Sequence, residues 1–121
     1  MIPKIFESEY RFCEILWENE PISSGKLAKL CSERLEWKKS TTYTVIKRLT
    51  ERGIIKSEKA VVTSLVSKEE VQAQESADIV EKSFKGSLPA FIAAFAKTKD
   101  LSSREIEEIQ QIIDQYKETG R

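Results

Sequence analysis

The residues of this chain that carry reactive side chains do not form the arrangements that catalysis requires. Histidine is absent from the sequence, and the two cysteines, Cys13 and Cys31, are not spaced as Cys-x-x-Cys. We therefore expect no zinc, haem or nucleophile site, no metal and no cofactor. Tyr43 and Glu51 can ionise, but on one helix they do not face one another. The sequence predicts that the protein is not an enzyme.

Hydroxyls and cations between Lys38 and Lys59 indicate a different chemistry, which is contact with nucleic acid. Seven bases and two acids lie in this segment, although the formal net charge of the whole chain is +0. Cations neutralise phosphates, and short side chains let a helix approach bases closely. The predicted DNA-binding residues are Lys38, Lys39, Ser40, Thr41, Thr44, Lys47, Arg48, Arg52, Lys56 and Lys59. An ordinary surface helix with solvated cations is the alternative interpretation of this stretch.

A helix must position most of these side chains, and its other face is apolar. The inward positions recur at the i, i+3, i+4, i+7 spacing of one helix face. They are Thr42, Val45, Ile46 and Leu49. Gly53 is predicted to end this helix in a left-handed conformation. The apolar run that begins with Ile54-Ile55 then predicts a strand.

The segments around this helix predict a winged helix-turn-helix domain over residues 1–67. A first helix is expected over residues 8–18, a short strand at Ile22, and a second helix that Ser23 caps and that ends near Arg34. After the third helix, residues 54–58 and 61–67 are predicted to form a β-hairpin across Lys59-Ala60. The fold class is mainly α with a small hairpin. The turn contains no glycine, so its type stays open.

Residues 68–121 are predicted to form a helical dimerisation domain. Residues 1–66 carry a charge of +3 and residues 67–121 a charge of −3. The last helix is expected to begin at Ser102, with Glu105 completing a capping box and Leu101 packing against Ile106. About 50 residues of helix are too few to bury their apolar stripes on one another, so a second copy is expected to share the core. Packing against the chain's own winged helix is the alternative. The predicted dimerisation residues are Phe84, Leu88, Phe91, Ile92, Phe95, Ile106, Ile109, Ile113 and Tyr116.

Composition also bears on where the protein resides. The sequence has no run of roughly 18 apolar residues and no signal-peptide pattern at its start, so we expect a cytoplasmic protein without membrane insertion. Cys13 and Cys31 lie among apolar neighbours in helical segments and are expected to be reduced core thiols.

Seven short stretches resemble the BlaI/MecI penicillinase-repressor family of bacterial regulators, in their order and spacing and over nearly the whole length. They are Glu9-Tyr10, Ile15-Leu16-Trp17, Trp37 with its Thr-rich helix, Lys47-Arg48-Leu49, Gly53-Ile54-Ile55, Lys85-Gly86-Ser87-Leu88 and Leu101-Ser102-x-x-Glu105-Ile106. The resemblance implies a dimer that binds a palindromic operator and represses genes of β-lactam resistance or a related stress response. A winged-helix adaptor that binds protein and not DNA is the alternative function.

The resemblance also implies roles for particular residues. Ser40, Thr41 and Thr44 match the family's base-reading positions, although the family often has Lys where this chain has Ser40. Repression by many relatives is relieved by proteolysis in the dimerisation domain, which a membrane sensor-protease triggers. The matching bond here is Ala94-Phe95, where the staphylococcal-type pattern has Asn before Phe. Related copper-responsive repressors have a C-terminal Cys-x-Cys cluster, and this chain has no cysteine after Cys31, so copper sensing there is not expected. The family commonly has a Gly-Arg wing tip with a following aromatic residue, which this chain lacks, so Lys56 and Lys59 are expected to supply the phosphate contacts of the wing.

Overall fold

The computed structural model of the protein describes residues 2–120 and is mainly α-helical with a small sheet. The elements are α1 (Glu7–Asn19), β1 (Ile22–Ser23), α2 (Ser24–Leu35), α3 (Lys39–Glu51), β2 (Ile55–Glu58), β3 (Val61–Ser64), α4 (Lys68–Phe84), α5 (Leu88–Thr98) and α6 (Ser103–Glu118). This order confirms a winged helix-turn-helix followed by further helices. The chain forms two compact units, and the division between Asp78 and Ile79 falls inside α4. A domain boundary at residues 67 and 68 stays a prediction.

The core of the first unit lies where α1, α2 and α3 meet the sheet. Phe12, Leu16, Leu27 and Cys31 are completely buried there, because their spacing brings them onto the inner faces of α1 and α2. Ser23 caps α2 as expected, since its Oγ accepts a hydrogen bond from the backbone N–H of the residue three positions later at 3.2 Å. These two helices form the support against which α3 is placed.

α3 ends in a Schellman motif at Gly53, which has φ of 75°. The N–H of Gly53 donates to the carbonyl of Thr50 at 3.1 Å, and the N–H of Ile54 donates to the carbonyl of Leu49 at 2.9 Å. Leu49 and Ile54 are both fully buried, so an apolar contact accompanies the two hydrogen bonds. The predicted left-handed end of the helix is confirmed.

The wing is a tight antiparallel hairpin. The sheet has the strand order β1-β3-β2, and Ile22 of β1 pairs with Val62 of β3. Lys59 and Ala60 form the two-residue turn with φ of 51° and 62°. Positive φ at both central residues is the signature of a type I′ turn, which glycine and asparagine normally occupy.

The second unit contains the end of α4 together with α5 and α6, and side chains cap both later helices. The Oγ of Ser87 accepts from the N–H of Ala90 at 3.2 Å. Ser102 and Glu105 form the predicted capping box, with each side chain bonded to the other's backbone N–H at 3.1 Å. The hydrogen bond from the backbone of Ser102 also lowers the pKa of Glu105.

Candidate nucleic-acid interface

α3 has the two faces that its sequence predicts. The inward side chains of Thr42, Val45, Ile46 and Leu49 are all buried. The outward positions are exposed, and they are Ser40, Thr41, Thr44, Lys47 and Arg48. Between Lys39 and Thr50 this helix contains no acidic residue, so its exposed face presents only neutral hydroxyls and cations. Such a surface is complementary to a polyanion.

The beginning of α3 is open to an anionic ligand. Lys38 occupies the N-cap position, and within residues 2–120 its side chain makes no capping hydrogen bond. The backbone N–H groups of the first turn carry the positive end of the helix dipole, next to which a lysine is unfavourable and an anion is favourable. Lys38 and Lys39 both lie at this end. A phosphate bound at the first turn of α3 would therefore be favoured electrostatically.

Thr44 is exposed on α3, and its hydroxyl is held by the helix. The Oγ1 of Thr44 donates to the carbonyl of Ser40 at 2.9 Å. The hydroxyl oxygen keeps lone pairs that can accept a hydrogen bond from a base, and the methyl group can contact the C5-methyl of thymine. Ser40 and Thr41 lie one turn earlier on the same exposed surface.

Tyr43 also belongs to this surface, although the sequence did not predict it as a contact residue. Its side chain is 38% exposed, and the Nζ of Lys39 lies 5.8 Å from the centre of its ring. Tyr43 stands three residues after Ser40 and four before Lys47, which is the spacing of one helix face. That spacing is the sequence signal for Tyr43, whereas its ionisable hydroxyl alone does not indicate a contact with nucleic acid.

The cations predicted to contact phosphate fall into three environments. Lys47 and Arg48 are exposed on α3 and form no ion pair within residues 2–120. Lys56 is exposed on β2, where its Nζ lies 3.3 Å from the carboxylate of Glu58. Arg52 is instead partly buried, and its Nη1 donates to the carboxylate of Glu9 at 2.8 Å. Arg52 thus differs from Lys47 and Arg48 in being held by a buried carboxylate.

The second unit exposes most of its large apolar side chains. Leu88 is 56% exposed and Tyr116 60% exposed, and Ile92, Phe95, Ile106 and Ile113 are also exposed. Phe84, Phe91 and Ile109 are half-buried. The rings of Phe84 and Phe91 pack edge to face with their centroids 5.5 Å apart, so these two side chains bury part of each other's surface. No residue between positions 72 and 120 is fully buried.

The bond between Ala94 and Phe95 lies inside α5, with helix on both sides. Phe95 is exposed and its ring lies 6.2 Å from that of Phe91. A protease needs an extended substrate, so α5 would have to open locally before this bond could enter an active site.

The remaining reactive groups do not form a second site. Cys13 and Cys31 are free, buried thiols. Burial raises the pKa of Cys13 from 9.0 to about 12, and burial also raises the pKa of Cys31. Among residues 2–120 there is no cluster of histidine, cysteine or acidic side chains that could hold a metal ion. The described helices include none with the length and apolar character needed to cross a bilayer.

The fold and this surface define a winged helix-turn-helix protein with an appended helical unit. Residues 5–115 match the family described as penicillinase repressor, and the chain belongs to that family. The chain is 27% identical over 115 residues to the methicillin resistance regulatory protein MecI of Staphylococcus aureus strain Mu50. The aligned region covers 92% of this chain and 94% of MecI. It is 24% identical over 120 residues to the penicillinase repressor of Bacillus licheniformis, covering 96% of this chain and 94% of that protein. The penicillinase repressor of Staphylococcus aureus is 24% identical over 115 residues. These are names of a regulatory protein and of two repressors, and not of enzymes.

Proposed function

We propose that the protein is a dimeric bacterial transcriptional repressor that binds a palindromic operator through α3. The observation that carries this proposal is the exposed face of α3, which joins hydroxyls to cations that form no ion pair within residues 2–120 and has an open positive end. Membership of the penicillinase repressor family supports the same function.

In this mechanism the cations set the position of the protein on DNA. Lys38, Lys39, Lys47 and Arg48 contact phosphates on either side of the major groove, and the first-turn N–H groups of α3 bind a phosphate along the helix axis. Lys56 and Lys59 of the wing contact the neighbouring backbone. Lys59 stands at the tip of the hairpin, so it is the wing cation that extends furthest from the sheet.

Sequence preference comes from the short side chains between these cations. Ser40, Thr41 and Thr44 contact base edges or thymine methyls, and the ring of Tyr43 packs against the sugar or a base edge beside them. These side chains include no bidentate reader such as arginine or asparagine. One head therefore binds weakly, and a second head linked to it supplies the affinity.

The second unit supplies that link in this proposal. Its exposed apolar side chains would leave water on association with the same surface of a second copy, at about 25 cal/mol per Å² of apolar area. An isologous contact of this kind relates the two α3 helices by a two-fold axis. Half-sites separated by about 34–36 Å, or a multiple of that distance, would then lie on one face of the DNA.

The regulated genes are proposed from the relatives' names. A methicillin resistance regulator and penicillinase repressors are the similar proteins, so the operator is expected near genes of a β-lactam response. A membrane sensor-protease is the proposed inducer partner, and the bond that matches the family's cleavage position is Ala94-Phe95, which lacks the Asn of the staphylococcal-type pattern. Incubation with a sensor-protease should then yield two fragments that divide at this bond in α5.

The test begins with selection of duplexes from a random library by the full-length protein, followed by titration of the selected duplex at several salt concentrations. A repressor should show a steep linear fall of log affinity with log salt. Thr44→Ala should relax preference at one base pair by about 1 kcal/mol, whereas Lys47→Ala with Arg48→Ala should weaken all duplexes alike. Absence of any salt-dependent binding would refute the proposal and favour a protein-binding adaptor.

A further inference from the structure

Glu9 is a buried carboxylate near the beginning of α1. Its side chain is 3% exposed, although glutamate rarely lies inside a domain without a partner. Oε1 of Glu9 accepts from the N–H of Phe6 at 3.1 Å, and Oε2 accepts from Nη1 of Arg52 at 2.8 Å. Both carboxylate oxygens are thus used, one by the start of α1 and one by the residue that follows α3.

Arg52 joins the same region through two further contacts. Its Nη2 donates to the backbone carbonyl of Lys4, and its guanidinium carbon lies 5.7 Å from the centre of the Phe6 ring. A planar guanidinium can hold two acceptors in a fixed fork, which a lysine cannot reproduce. One side chain therefore connects the end of α3 both to the segment before α1 and to α1 itself.

We propose that Glu9 and Arg52 are positioning residues that fix the orientation of α3 for DNA binding, an inference that rests on the proposed function. The backbone of α3 packs chiefly against α2 and β2. Among the hydrogen bonds described for residues 2–120, the bond between Arg52 and Glu9 joins α1 to the end of α3. The pair therefore restrains a direction that the packing of α2 and β2 leaves less constrained.

Because α3 is long, a small tilt of the helix around Arg52 produces a large displacement of the side chains that are proposed to contact bases. Thr44 precedes Arg52 by eight residues, which is about 12 Å along the helix axis. A tilt of about 10° around the Arg52 end moves Thr44 by about 2 Å, which is enough to break a hydrogen bond. Phosphate contacts of long lysine side chains tolerate such a shift, whereas base contacts of short hydroxyl side chains do not.

Charge alone predicts the opposite effect of removing Glu9. An acid near a DNA-binding surface repels phosphate, and it also occupies Arg52, so its neutralisation should strengthen binding to every duplex. Positioning predicts weaker binding to the selected duplex only. The direction of the change therefore separates the two explanations.

The experiment uses the full-length protein, the duplex that the wild-type protein selects, and a scrambled duplex of the same length. For Glu9→Gln and for Arg52→Lys, we expect the ratio of the two affinities to fall about tenfold, which corresponds to the loss of one base contact. Affinity for the scrambled duplex and the salt dependence should stay unchanged. Glu7→Gln is the matched control, because Glu7 lies in the same helix turn but is exposed and should leave the ratio unchanged.

Two results would overturn the positioning role. The first is that Glu9→Gln binds the selected duplex with unchanged or higher affinity, while the ratio of the affinities for the selected and the scrambled duplex stays the same. This result would show that Glu9 affects DNA binding only through its charge. A decrease in the salt slope for Arg52→Gln would show that Arg52 contacts a phosphate itself. If Glu9→Gln does not fold by circular dichroism, Arg52→Lys decides the question, because it keeps the charge. Failure of the wild-type protein to bind any duplex would instead refute the proposed function.

Discussion

Replacing Lys38 should separate the stability of α3 from its binding to DNA. Lys38 is the N-cap of the helix, a position that favours asparagine, aspartate, serine or threonine. Its side chain makes no cap within residues 2–120, and its charge lies at the positive end of the helix dipole. We therefore expect Lys38→Asp to stabilise the folded protein and to weaken binding to DNA.

The size of the stabilisation follows from two contributions. A side-chain oxygen at the N-cap accepts a first-turn N–H and contributes about 1 kcal/mol. Exchanging a positive for a negative charge at this end adds about 0.5 kcal/mol. The sum of about 1.5 kcal/mol should raise the melting temperature of the first unit by about 5 °C or more. The same change removes one cation per head and adds an anion where a phosphate is proposed to bind.

Three variants at this one position provide the assay and its controls. Lys38→Ala removes the charge without a cap, Lys38→Asn removes it with a cap, and Lys38→Asp reverses it with a cap. Urea unfolding should give near-neutral, stabilised and most stabilised proteins in that order. The slope of log affinity against log salt should decrease by about one per head for alanine and asparagine, and by more for aspartate.

The outcome that would refute the reasoning is a correlation between the two measurements. If DNA binding falls only in variants that also lose stability, the effect is on the fold and not on a phosphate contact. If Lys38→Asp is stabilised and binds the selected duplex with unchanged affinity and salt slope, the beginning of α3 does not face DNA.

Five further predictions concern the core, the wing and the second unit. Thr42→Val should raise the free energy of unfolding by about 1 kcal/mol, because the buried Oγ1 of Thr42 finds no hydrogen-bond partner among residues 2–120 other than the weakly bonding thiol of Cys31. Cys13 and Cys31 should not react with a disulfide reagent at about pH 8 until urea unfolds the protein, since burial raises both pKa values. The stability that the protonated Cys13 contributes is complete below pH 9 and should be lost as pH rises to about 12. Ala60→Gly should stabilise the hairpin by up to about 1 kcal/mol in thermal unfolding, because Ala60 has positive φ. Ile113→Glu should convert a dimer into monomers in sedimentation equilibrium, and an unchanged mass would contradict the proposed interface.

Sequence patterns predicted the elements whose causes are local. The period of α3, the left-handed Gly53 and the capping box of Ser102 with Glu105 each depend on residues within one or two helical turns. The structure confirms all three. The hairpin was found from its two β-branched runs, because their alternation and spacing are also local signals.

Contacts between residues that lie far apart in the sequence could not be predicted from local sequence patterns. Arg52 looked like one more cation of the basic segment, and its partner Glu9 lies 43 residues earlier. The type I′ turn at Lys59 and Ala60 contains neither glycine nor asparagine, so the backbone geometry is imposed by the pairing of β2 with β3. Propensity alone would not place two such residues at positive φ.

The two units should also differ in how their stability responds to protein concentration. Among residues 2–120, every side chain that is completely or almost completely buried lies at or before Val71, so the first unit has a core within one chain. The second unit leaves most of its isoleucines exposed, together with Phe95 and Tyr116, so their burial would require a partner surface. A folded state that exists only as a dimer is stabilised by mass action, and a monomeric one is not. We therefore expect two different transitions over about a hundredfold range of protein concentration. The loss of helical ellipticity that comes from α5 and α6 should move to higher temperature as the concentration rises. The fluorescence transition of Trp17 and Trp37, both in the first unit, should stay at a nearly constant temperature. Concentration-independent melting of both signals would mean that the exposed apolar faces are covered in some way other than by a second copy.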